Sequence, residues 1–136
     1  LRRQRQMCIR DRYLATGAKY YAADIGLRYF LLGTRQADQG HILENIVYLE
    51  LIRRGYEVYI GKVSAQEVDF IAINSEGEEY YQVSQTVMEE QTLKRELSSL
   101  EAVKDHNPKY LLTMDYTPLT SHNGIKQMNV LEWLTR

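Results

Sequence analysis

The stretch from Val68 to Gln85 constrains the fold more than any other part of the chain. Two strand-like runs, Val68–Ile73 and Glu79–Gln85, flank Asn74-Ser75-Glu76-Gly77-Glu78, a composition that favours a tight reversal. A hairpin of this kind commits the chain to a sheet, and a sheet with an apolar face must be covered by other elements. Side chains alternate along a strand, so Glu67 and Asp69 are expected to share a face with Ile71 and Ile73. One register of the hairpin sets Asp69 opposite Gln82 and the other sets it opposite Ser84. Both put Asp69, Gln82 and Ser84 on one face.

Around this hairpin the remaining elements follow from periodicity. Lys19–Ala23 reads as a short strand, and Asp24 can cap a brief helix over 25–32 that stops at Gly33. A stronger helix is expected from His41 to Arg54, closed by Gly55. Its apolar residues lie almost all round, which predicts a central, buried helix. Tyr56–Ile60 reads as a strand. After the hairpin, Leu93, Leu97, Leu100 and Val103 recur at helical spacing over Glu89–Lys104, supported by a Glu90–Lys94 pair. Asn107-Pro108 ends that helix, Lys109–Met114 reads as a buried strand, and Thr117–Gly124 as a loop. Ile125–Val130 is expected to be the last strand and Leu131–Leu134 a terminal helix. The order from His41 onward is α-β-β-β-α-β with a short addition, an α/β fold with one mixed sheet flanked by helices.

Candidate chemistry comes from carboxylates in apolar surroundings. Val47, Tyr48 and Leu51 share the helical face of Glu44, so this carboxylate should point inward. A buried carboxylate is costly unless it is hydrogen-bonded, paired or bound to a metal. A structural ion pair and a functional site explain Glu44 equally well. Glu44, Asp69, the Gln82 amide oxygen and the Val83 carbonyl could together supply the oxygen ligands that Mg2+ prefers. Such an ion would activate water and offset the charge that builds on a phosphate during hydrolysis.

These residues, in this element order, resemble the PD-(D/E)XK nuclease superfamily. More specifically, KYYAADIGLRYFLLG, GHILENIVYLELIRRGYEVYIGK, EVDFIA, YYQVSQ and NPKYLLTMD resemble the domain of unknown function that follows an AAA-type ATPase module in many prokaryotic ATP-binding proteins. The resemblance implies a restriction-endonuclease-like core over 41–136, with 13–40 leading in from an upstream ATPase domain. It also implies that ATP belongs to that upstream module. No glycine-rich phosphate loop occurs here, since Gly55, Gly61 and Gly77 stand alone. The superfamily's third strand carries Asp or Glu, any residue, then Lys; here those positions are Gln82, Val83 and Ser84. Gln82 offers an oxygen without charge, and Ser84 cannot replace the lysine. Lys94 or Arg95 on the following helix could lend a cation, although a solvated helix face accounts for both residues more simply.

Composition narrows the reading further. The 136 residues suit one domain, and no apolar run reaches the roughly 18 residues that span a bilayer. No secretory leader pattern opens the chain. The single cysteine, Cys8, excludes an internal disulfide and fits a reducing cytoplasm. His41, His106 and His122 have no metal-ligand spacing. The formal charge of −1 is uneven: residues 1–12 carry five arginines against Asp11, which leaves the rest acidic and poorly suited to a broad nucleic-acid grip. Residues 1–12 (LRRQRQMCIRDR) resemble translated sequencing-adapter sequence and are set aside as a scar, the alternative being a basic arm. Two functions are expected to compete. One is a catalytically degenerate DNA- or partner-binding regulatory module; the other is a Mg-dependent nuclease using Glu44, Asp69 and Gln82. A purely structural role for the polar residues is the plainer third possibility.

Overall fold

The computed structural model describes residues 2–3, 20–22, 24, 39–63 and 65–136. The helix expected over 25–32 lies outside them. Strands β1 (Arg2–Arg3) and β2 (Tyr20–Tyr21) form a small antiparallel ladder. Helix α1 (Gln39–Arg53) follows and ends at Gly55, whose φ of 85° suits a glycine after the last turn. Then come β3 (Glu57–Val63), β4 (Gln66–Asn74), β5 (Gly77–Val83), α2 (Glu90–Glu101), β6 (Lys109–Thr113), β7 (Thr120–His122), β8 (Ile125–Asn129) and α3 (Val130–Leu134).

The main sheet has six strands in the order β3-β4-β5-β6-β8-β7. β3, β4 and β5 form an antiparallel meander, while β6 and β8 run parallel to β5. A parallel neighbour requires a crossover, and α2 supplies it between β5 and β6. The chain is therefore α/β with a mixed sheet. α1 and α3 cover one face, where Val47, Tyr48, Leu51, Phe70, Tyr81 and Trp133 belong to one cluster. α2 covers the other, with Leu97, Leu100 and Val103 packed among Val68, Ile71, Tyr80 and Leu111. The leucine spacing on α2 thus marks its buried stripe, and Lys94 Nζ lies 2.6 Å from Glu90 on the exposed side. α1 covers the sheet rather than running through the interior: its Gln39, His41 and Arg53 are exposed, so the expectation of burial all round was too strong.

Two further expectations need correction. The segment read as a loop, Thr117–Gly124, contains β7, which pairs with β8 through a turn at Asn123 and Gly124. Both turn residues have positive φ, 50° and 87°, as a two-residue hairpin of right-handed twist requires. Strict alternation also fails along β4. Tyr59 faces Ile71 but Gly61 faces Val68, so Ile60 alone opposes both Asp69 and Phe70. This bulge resets the parity: Val68 and Ile71 lie three apart yet share the α2-side cluster. Asp69 therefore does not simply follow Ile71. Gly61 belongs to the same device, because a Cβ there would stand 2.7 Å from Ile71 Cδ1 and 3.0 Å from its Cγ1.

Beyond the sheet, Asp115 joins the loops after β5 and β6. Its carboxylate accepts hydrogen bonds from Thr86 Oγ1 at 2.7 Å and from the Val87 N–H at 2.8 Å. At the other end, Glu50 on α1 receives Arg53 and Arg54. The hydrogen bond from Arg53 is the main reason its carboxyl is lowered to about 2. Arg54 continues to the Trp133 carbonyl at 2.8 Å and lies over the indole ring, tying α1 to α3.

Candidate functional site

The hairpin register sets Asp69 against Gln82, since Phe70 pairs with Tyr81 and Asn74 with Gly77. The backbone ladder ends at Phe70–Tyr81, and side chains take over where it stops. The Val83 N–H donates to Asp69 Oδ2 at 2.9 Å, and the Asp69 N–H donates to Gln82 Oε1 at 3.2 Å. A bulge on one strand and an amide on the other thus draw two polar side chains into the opening between β4 and β5. Both are buried, Asp69 at 7% exposure and Gln82 at 7%.

The network continues to α2. Gln82 Nε2 donates to Glu96 Oε2 at 2.9 Å, and Arg95 Nη2 donates to Glu96 Oε1 at 2.8 Å. Glu96 is itself 9% exposed, whereas the Arg95 side chain is 73% exposed. The chain of contacts runs from an exposed guanidinium through a buried carboxylate and an amide to the backbone N–H of Asp69, whose own carboxylate holds the Val83 N–H. Sequence reasoning missed Glu96. The signal was present, because Leu93, Leu97 and Leu100 surround it on the helix as apolar residues surround Glu44.

Glu44 lies on the other side of the sheet from α2, with its side chain 16% exposed and His41 Nδ1 at 4.0 Å. Its neighbour in the fold is Tyr21. That phenol is held well above the ordinary tyrosine range, by burial first and then by the charges of Glu44, Asp69 and Glu67. Tyr21 stacks on Tyr48 with ring centroids 4.4 Å apart and lies 5.7 Å from Phe70. Asn45, also missed by sequence reasoning, clamps the next residue: the Ala22 N–H donates to Asn45 Oδ1 at 2.7 Å, and Asn45 Nδ2 donates to the Ala22 carbonyl at 2.9 Å.

The remaining predicted residues stand apart. Ser84 follows the end of β5, and its hydroxyl donates to the Thr86 carbonyl at 3.1 Å rather than facing Asp69. Lys94 is held in its exposed pair with Glu90. Both amide atoms of Gln82 are engaged, the oxygen with the Asp69 N–H and the nitrogen with Glu96, while Glu44 lies across the sheet from α2. Among the described residues no three His, Cys, Asp or Glu side chains converge as metal ligands.

An uncharacterized protein of Haemophilus influenzae is 40% identical over 122 residues, covering 90% of this chain. The chain spans 30% of the length of that relative. No family model and no solved structure matches. No helix among the described residues is long and apolar enough to cross a membrane.

Proposed function

We propose that this chain is the C-terminal, nuclease-like domain of a prokaryotic ATPase, and that it serves as a catalytically degenerate DNA- or partner-binding regulatory module. The element order α1-β3-β4-β5-α2-β6, with an antiparallel meander and a parallel fourth strand, supports the restriction-endonuclease-like reading. The greater length of the Haemophilus influenzae relative leaves room for an upstream module that holds ATP.

The observation that carries the proposal is the occupation of Gln82. Its oxygen accepts from the Asp69 N–H and its nitrogen donates to Glu96, which supports a holding role for this amide. Lys94 is paired in solvent and Arg95 is bound to Glu96, which supports reading neither as a stand-in for the missing lysine. A site in this state can hold two strands and a helix together and sense their separation. Among the described residues, Lys94 and Ser84 are engaged elsewhere.

The competing reading, a Mg2+-dependent nuclease built on Glu44, Asp69 and Gln82, would have the Gln82 oxygen ligate an ion through the lone pair that the Asp69 N–H leaves open. The two readings separate in one assay. Single- and double-stranded DNA are incubated with the chain and Mg2+ or Mn2+, beside Asp69→Ala, with binding followed on the same substrates. Binding without cutting supports the regulatory module. Cutting that disappears in Asp69→Ala would establish the nuclease instead.

A further inference from the structure

Residues 20–22 are attached to the domain in the manner of a bound peptide. Asn45 uses both halves of its side-chain amide on the backbone of Ala22. That contact demands an extended segment and ignores the side chain of Ala22. Selectivity comes from the preceding residue, because the Tyr21 ring fills the space between Tyr48 and Phe70 and is 4% exposed.

One group opposes the attachment. The Tyr21 hydroxyl is buried and has no hydrogen-bond partner among the described residues. Burying a hydroxyl without a partner forfeits the hydrogen bonds that it makes in water. The charges of Glu44, Asp69 and Glu67 also act on this phenol. Ring stacking, the Asn45 clamp and the short ladder with Arg2–Arg3 therefore hold the segment, while its own hydroxyl favours release into solvent.

We propose that Tyr20–Ala22 is a releasable strap, docked through Tyr21 and Asn45, whose departure uncovers Glu44 and Asp69. This inference rests on the regulatory reading for what moves the strap. Docking and release themselves do not depend on that reading.

Amide hydrogen exchange on the whole chain tests it. In the wild type the Ala22 amide should exchange about tenfold or more faster than the Leu112 amide in β6, because the strap opens without the sheet unfolding. Tyr21→Phe removes the orphaned hydroxyl and keeps the ring, so it should slow exchange at Ala22 by about tenfold. Asn45→Ala should speed it by a similar factor, and carbodiimide labelling of Asp69 should rise severalfold in that variant. If Asn45→Ala does not fold, the opposite sign expected of Tyr21→Phe still decides the matter. Exchange at Ala22 that matches Leu112, or a Tyr21→Phe change that fails to slow it, overturns the strap. Faster opening with unchanged Asp69 labelling overturns the uncovering. A negative DNA-binding result would remove the regulatory reading and leave the exchange results standing.

Discussion

Two aspartates in this protein perform the same local task and differ in what stands behind them. Asp69 accepts the Val83 N–H across the opening between β4 and β5, and Asp115 accepts the Val87 N–H across two loops. Asp115 has a hydroxyl, Thr86, as its second partner, and is partly exposed. Asp69 is buried, and one amide separates it from the buried carboxylate of Glu96. A loop latch needs only neutral donors. Two buried carboxylates in one network, one on the Val83 N–H and the other on the Gln82 amide, bring charge where neutral residues would pack at lower cost. The second arrangement is the one that stability alone does not call for, and it marks the place where function should be sought.

The comparison can be broken most forcefully at Gln82. Gln82→Glu sets a third carboxylate between Asp69 and Glu96, and should lower stability by about 3 kcal/mol in urea unfolding without divalent ions. The double variant Gln82→Glu/Glu96→Gln should recover most of that loss. No recovery would show that Glu96 is not the group that Gln82 accommodates. Asp69→Ala should lower stability by about 2–3 kcal/mol, since it orphans the Val83 N–H inside the sheet and removes a hydrogen bond to a charged acceptor. Asp115→Ala, in its partly exposed setting, should lose about 1–2 kcal/mol. Equal losses at the two positions would erase the distinction drawn between them. Gly61→Ala addresses the bulge that shapes the buried site. It should cost about 1–3 kcal/mol by pushing on Ile71, and a neutral result would mean that the bulge tolerates a side chain.

Acid titration gives a smaller and independent contrast. The Glu50 carboxyl is lowered to about 2 by Arg53 and Arg54, so the ionised form stabilises the fold. Its contribution is present above the ordinary carboxylate range and is lost as pH falls from there toward 2. Thermal unfolding of Glu50→Gln should therefore be less stable than wild type near neutral pH and converge with it in acid. Parallel curves would assign the difference to packing instead.

Much of this architecture was legible because it depends on periodicity. The α2 stripe, the β4–β5 hairpin and the Gly55 stop each follow from spacing or turn chemistry visible in the residues themselves. β7 was missed because three polar residues make no alternating apolar run, although Asn123-Gly124 is a strong hairpin signal. The bulge was missed because nothing in Val68-Asp69-Phe70-Ile71 fixes how many residues oppose Ile60. Asp69 and Gln82 were legible as neighbours, but the engagement of both Gln82 amide atoms was not. That engagement depends on Glu96, which approaches from a helix formed later in the sequence and on the opposite face from Glu44.

The edges of the sheet carry a consequence for how the molecule meets its surroundings. β7, on one side, is three residues long, with Thr120 and Ser121 exposed. β3, on the other, presents charged Glu57 and Lys62 and runs beside the bulge. Short, polar, charged or irregular borders discourage foreign strands from joining. The sheet is thereby finite by design of its rims, and any lasting association this protein forms should run through side-chain surfaces rather than by lengthening its sheet.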